Sequence, residues 1–275
     1  MGTSSSDSGP RPGIAPGARR AAGPMVAWLY GDLALHPWHA ADSEHDAYQL
    51  FHQRSVAMGW LDDDAGGGLW GMNDAEWGRP LGSAGAGPIA WFQVESAPAG
   101  GERPLPVQAF LRCAEDVATR VGVLRADRWQ VLVPVPGIDA ASRPRYAAVP
   151  SMLSAQWFGP RNPCGRTPVT LGIDSGGDPA VVEAAPRLSA LLRGLDQDVF
   201  RWSADGYTVA SAPPPPTHDS LWAGPPRHGI AFEGESAEWS GDAAGWLAAT
   251  VADAAARAEI RVPLLITLAR TDSPR

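Results

Sequence analysis

Ile89-Ala-Trp-Phe-Gln-Val-Glu95-Ser96 and Ile230-Ala-Phe-Glu-Gly-Glu235-Ser236 open two similar successions of residues, and the echo between them decides the fold. Each stretch opens on a short apolar run and reads as a strand. Each is followed by a loop, an amphipathic helical run and an apolar strand, at an offset of about 130 to 145 residues that holds for several elements. Self-similarity at a fixed offset is the mark of a repeated structural unit.

Working outward in the first half, residues 26–33 read as a strand, and a helix starts near Ser43 as N-cap and runs through Tyr48, Leu50, Phe51, Val56 and Met58. The acidic, glycine-rich stretch 62–68 reads as a turn. After the strand at 89–95, Phe110, Leu111, Ala114, Val117, Ala118 and Val121 recur at helical spacing and predict a helix over 107–121. A strand at 129–135 follows, then two short strands at 146–149 and 155–158. The second half predicts a strand at 169–173, a helix over 179–195 kinked or divided by Pro186, strands at 199–202 and 207–210, and a stiff proline connector at 213–216. A strand at 230–232, an alanine-rich helix over 243–258 and a last strand at 262–268 complete it. Each half approximates β-α-β-β-α-β, the order of a ferredoxin-like α+β unit with two helices on one sheet face. The expected organisation is a disordered Ser/Gly/Pro-rich leader at 1–24, a first α+β half at 25–160 and a second at 161–275.

Composition narrows the function classes. The 275 residues are 44% hydrophobic and 19% charged, a globular balance. No apolar run approaches the roughly 20 residues of a membrane helix, and the first residues lack the apolar centre of a secretory signal, so a cytoplasmic protein without a membrane partner is expected. A net charge of −8 and a pI of 5.2 repel phosphate backbones and argue against nucleic acid. All 22 basic residues are Arg, which removes lysine Schiff-base chemistry and a Walker A lysine. Two cysteines, Cys113 and Cys164, are expected as reduced thiols and form no zinc site. No cofactor is expected.

Twelve tryptophans are divided between predicted elements and predicted loops. Trp28, Trp91, Trp129, Trp202 and Trp246 are expected in the core, whereas Trp38, Trp70, Trp77, Trp222 and Trp239 fall in loops, over the core edge or at a binding surface.

The densest polar group is His36-Pro37-Trp38-His39 through His45, with His52 beyond. Imidazole beside carboxylate is a usual zinc or ferrous ligand set, but Pro37 forbids a regular helix across His36 and His39 and no His-Glu-x-x-His occurs, so no metal is assigned. Glu95 and Glu235 end the two repeated strands. If the halves pack about a pseudo-twofold, these carboxylates approach each other and split their titrations; otherwise each Glu-Ser pair caps a helix. The ligand-binding candidates are therefore His36, Trp38, His39, His45, His52, Glu95 and Glu235.

Three short resemblances complete the inventory. Asp174-Ser175-Gly176-Gly177 resembles the nucleophile motif of chymotrypsin-like proteases, without an upstream histidine motif to activate the serine. Asp62-x-Asp64-x-Gly66 resembles the start of an EF-hand loop, but Asn73 stands where the closing Glu belongs. Residues 88–158 resemble one module of the vicinal oxygen chelate (glyoxalase-like) family in their strand, helix and following strands. That family holds metal with His and Glu on strands; this segment has no strand histidine, and the resemblance implies a metal-free binding relative.

Three functions remain open. The leading one is a non-catalytic binding or interaction module, with a small-molecule or protein partner at the seam between the halves. The others are a small-molecule enzyme, metal-dependent in one form, using segment 36–52, and a structural subunit of an oligomeric assembly.

Overall fold

The computed structural model describes residues 22–39, 46–62, 67–83, 85–159, 165–216, 222 and 224–271. The chain runs β1 (Gly23–Leu35), α1 (Ala47–Ala57), β2 (Trp70–Trp77), β3 (Ala90–Ser96), α2 (Val107–Val121) and β4 (Gly122–Val133). Short 3-10 turns occupy most of 135–158. Then come β5 (Thr167–Asp174), α3 (Ala180–Arg193), β6 (Phe200–Val209), β7 (Gly229–Ser236), α4 (Gly241–Arg257) and β8 (Leu264–Arg270). The fold is α+β: the eight strands form one sheet in the order β2-β3-β1-β4-β8-β5-β7-β6, with antiparallel neighbours throughout. No helix among the described residues is long and apolar enough to cross a membrane.

The period-2 patterning of the strands sorts side chains to two faces. One face carries Met25, Ala27, Leu29, Phe92, Val94, Val131, Leu171, Ile173, Phe232, Ile266 and Leu268, which pack with all four helices into the main core. The other face carries Val26, Trp28, Tyr30, Leu132 and Leu265, a small cluster beneath Trp222 with no helix over it among the described residues.

Helices α2 and α4 lie against each other across the middle of the helical layer. A Cβ at Gly241 would stand 2.6 Å from the Leu111 carbonyl oxygen, and one at Gly245 2.5 Å from Gln108 Cα, so these glycines let the backbones approach. Every residue of α4 from Ala243 to Ala256 is buried, which explains the run of alanine: α2, α3, the sheet and the 3-10 segment surround it and leave little volume. The 3-10 segment is fastened to α4 by Arg143, whose Nη2 lies 2.6 Å from Asp253 Oδ1, and by Trp246 Nε1, which donates to the Ser151 carbonyl at 2.7 Å. Burial pushes the Asp253 carboxyl up to about 6 against the pull of Arg143.

Several expectations are corrected. Residues 146–149 and 155–158 are not strands; Pro144 and Pro150 start 3-10 turns, and the segment gives its hydrogen bonds to α4 instead of a sheet edge. The closing strands of a glyoxalase-like module are thereby missing. Residues 199–202 and 207–210 are one strand, β6, with a register irregularity between Trp202 and Tyr207. Helix α3 is not divided at Pro186, which is exposed and leaves the buried face of Val181, Ala185, Leu188 and Leu192 continuous. Strand β2 was not foreseen. Strand β1 begins at Gly23, two residues inside the expected leader, and residues 1–21 lie outside the described residues. So does Ser43; the N-cap of α1 is Asp46, which accepts from the Tyr48 N–H at 3.1 Å.

Candidate functional site

The face of the sheet without helices is where the strands β4 and β8 meet, and there the lateral register sets side chains into rows. One row runs Tyr30, Arg128, Ala269, Thr170, Glu233 across β1, β4, β8, β5 and β7. The next runs Trp28, Gln130, Thr267, Gly172, Ala231, Thr208. Over β8, β5 and β7 both rows consist of small or short polar residues apart from Glu233, and they form the floor of a groove of about 840 Å³. That volume suits a drug-sized organic molecule.

Two loops wall the groove. Residues 85–87, between β2 and β3, stand on one side; Arg79 donates to the Gly85 and Gly31 carbonyls and so ties this loop to β1. Gly31 itself sits at φ +133°, at the register shift where β1 bulges against β4, and a Cβ there would stand 2.1 Å from the Arg125 carbonyl oxygen. Only glycine fits that bulge. Residues 210–213, between β6 and β7, form the other wall. Asp174 Oδ2 accepts from the Ala212 N–H at 3.2 Å, and Gln130 Nε2 donates to the Pro213 carbonyl at 2.7 Å. Burial raises the Asp174 carboxyl above its ordinary value, opposed by the N–H groups of Gly176, Ala212, Arg227 and His228.

Gln130 is fully buried and fully used: its Oε1 accepts from the Tyr30 hydroxyl at 3.1 Å, and its Nε2 also reaches Thr267 Oγ1 at 3.2 Å. The Arg128 guanidinium lies 3.8 Å above the Tyr30 ring, a cation–π pair. Burial pushes the Tyr30 phenol above its ordinary value, against the nearby Arg128 charge. Arg128 Nε is buried and has no hydrogen-bond partner among the described residues. At the far end, Thr170 Oγ1 donates to Glu233 at 2.9 Å. The lining holds carboxylates, guanidinium groups, a phenol and hydroxyls, but no imidazole or thiol among the described residues. Its chemistry is that of charge pairing and hydrogen bonding to a guest.

Of the seven residues singled out in the sequence, the six among the described residues do not line this groove. His36 closes the end of β1 against α2, with Nε2 donating to the Thr119 carbonyl at 3.2 Å and its ring stacked on the exposed Trp38 at 4.3 Å. The His39 N–H donates to the His36 carbonyl at 2.9 Å. His52 stacks on Tyr48 along α1, on the helical side of the sheet. His45 lies outside the described residues. Among the described residues no three His, Cys, Asp or Glu side chains are grouped closely enough to hold a metal ion. Glu95 on β3 and Glu235 on β7 do not approach each other: five strand steps separate them, about 24 Å at the usual interstrand spacing.

Ser175 is buried within the Asp-Ser-Gly-Gly stretch; its hydroxyl lies 2.6 Å from the Asp178 carbonyl and accepts from the Val181 N–H at 3.2 Å. The stretch is the turn that leads β5 into α3. Cys113 is buried with its thiol pushed up to about 12, chiefly by burial, so it is inert; Cys164 lies outside the described residues.

The groove did have a sequence signal. Along β5, β7 and β8, Val169, Leu171, Ile173, Ile230, Phe232, Ile266 and Leu268 alternate with Thr170, Gly172, Ala231, Glu233, Thr267 and Ala269. Strands with one bulky and one small face describe a sheet that is packed on one side and left open on the other.

No family model matches the chain, and no match was found among curated proteins or solved structures. The site therefore stands on its own geometry.

Proposed function

We propose that this chain is a binding protein for a small organic molecule, which lodges on the open sheet face across the junction of β4 and β8. We also infer that the chain is a pair of ferredoxin-like halves. The succession β-α-β-β-α-β occurs twice, and the strand orders β2-β3-β1-β4 and β6-β7-β5-β8 correspond element by element. Ser96 and Ser236, at the ends of the two similar stretches, are both buried. On this reading the two groove walls are equivalent loops of the two halves, and the groove is the seam between them.

The observation that carries the binding reading is Gly172. A Cβ added there meets nothing closer than Thr267 Cβ at 3.6 Å, an ordinary contact, and its φ lies outside the left-handed region. Neither packing nor backbone requires glycine, and what the missing side chain leaves is floor space in the groove.

The test is a fragment mixture screened by ligand-observed NMR against the unaltered chain and Gly172→Phe, with circular dichroism melting as the folding control. Fragments that bind the unaltered chain are expected to lose binding to the variant while its melting temperature is kept. Fragments that bind both equally would place the site elsewhere.

A further inference from the structure

The geometry points to an extended zwitterion as the guest, with its anionic group at Arg128 and its cationic group at Glu233; this rests on the groove reading above. The two charged side chains belong to the same lateral row and are three strand steps apart, about 14 Å. Their surroundings differ in kind.

At the Arg128 end the guanidinium carbon lies 3.8 Å from the Tyr30 ring centroid, and the buried Nε donates to no described protein group. The two terminal nitrogens of a guanidinium offer N–H groups side by side, from which a carboxylate can take two parallel hydrogen bonds. Asp32 and Asp127 at the same rim are exposed, as Glu233 is at the other end, and Asp127 is engaged in an interaction of its own.

At the other end Glu233 takes the Thr170 hydroxyl at 2.9 and 3.0 Å on its two oxygens and makes no ion pair among the described residues. A carboxylate so fixed is an acceptor for an ammonium group. Between the two ends stand Ala269, Thr267, Gly172 and Ala231, without charge and without bulk, while Arg270 at the rim is engaged in an interaction of its own. A guest neutral along its middle and charged at its tips matches this distribution, and the floor imposes a thin one. Because the strands under the groove already bond to each other, the guest gains no backbone ladder and recognition falls on its ends.

A peptide of four residues with free termini spans about 14 Å when extended, which makes tetra-alanine the probe. Binding is measured by titration calorimetry for tetra-alanine, its N-acetyl form and its C-terminal amide, on the unaltered chain and on Arg128→Gln, Glu233→Gln and Gly172→Phe. Tetra-alanine is expected to bind the unaltered chain, and acetylation or amidation is each expected to weaken binding by about tenfold or more. Arg128→Gln should no longer distinguish the amide from the free acid, and Glu233→Gln should no longer distinguish the acetylated from the free amine. Capped peptides that bind as well as the zwitterion, or no binding of tetra-alanine to the unaltered chain, would overturn the inference. The capping comparison uses the unaltered chain and decides the matter even if a variant fails to fold. Fragments displaced by Gly172→Phe together with indifference to capping would defeat the zwitterion and leave the groove standing; fragments that ignore Gly172→Phe would defeat the groove.

Discussion

Arg128 and Glu233 stand at the two ends of one lateral row on the open sheet face, joined through Ala269 and Thr170. Arg128 lies in the N-terminal succession of elements and Glu233 in the C-terminal one, and they face a common space only because β4 pairs with β8. The groove is therefore a property of that junction, and the loops at 85–87 and 210–213 close it from opposite sides.

The second wall depends on Gln130. Its side chain is the buried link between the Tyr30 hydroxyl, Thr267 Oγ1 and the Pro213 carbonyl. Gln130→Ala leaves these groups without partners, which costs about 1–3 kcal/mol. The loop at 210–213 should loosen as well. Chemical denaturation is expected to show the loss of stability, and limited proteolysis faster cleavage near Pro213 than in the unaltered chain.

Most of the main core was legible because its periodicity is strong. Helix α2 has Phe110, Leu111, Ala114, Val117, Ala118 and Val121 buried at the expected spacing. Strand β2 was hidden since only Trp70 and Ala75 of its eight residues are buried, as befits an edge strand. For the same reason Trp70 was read as a loop residue although it is fully buried against Phe51 and Phe110. The candidate site was not legible at all from residue chemistry. The histidines are close in sequence, but His36 is taken up by the end of α2 and by Trp38, and His52 by Tyr48. The groove residues come from five strands dispersed along the chain, and small residues announce nothing until a sheet sets them side by side.

The two kinds of glycine in this fold should separate cleanly. Gly245→Val places a side chain where even Cβ lies 2.5 Å from Gln108 Cα and 2.7 Å from the Val107 carbonyl oxygen, so α2 and α4 must move apart. The overpacking should cost about 1–3 kcal/mol. Gly172→Ala, whose Cβ meets only ordinary contacts, should be neutral or slightly stabilising through the unfolded chain. Thermal melts of both variants check the contrast; equal losses would contradict it.

Ser175 is expected to be a structural residue despite its motif. Its hydroxyl is occupied by the Asp178 carbonyl and the Val181 N–H and is sealed from solvent. A fluorophosphonate serine probe should leave the folded protein unlabelled. Ser175→Ala should lower stability by about 1 kcal/mol through the lost hydrogen bond from the Val181 N–H in the first turn of α3, with no effect on fragment binding in the groove.

Glu115 makes the helical layer sensitive to pH. Its carboxylate accepts from the Gly241 N–H at 2.9 Å at the start of α4. Burial pushes it up to about 7 despite that hydrogen bond, with Asp116, Asp242 and Glu238 adding repulsion. An unfolded glutamate titrates at about 4.3, so between that value and about 7 the folded protein binds the additional proton. Stability contributed by this group is thus fully present at low pH and falls as pH rises through that window. Glu115→Gln keeps an acceptor for Gly241 and removes the titration. The variant should match the unaltered chain near pH 4 and exceed it above pH 7, by about 2 kcal/mol once partial solvent exposure is discounted. Denaturation midpoints measured for both proteins across that range give the difference directly, and a difference that does not change with pH would show that the Glu115 carboxyl titrates at its ordinary value.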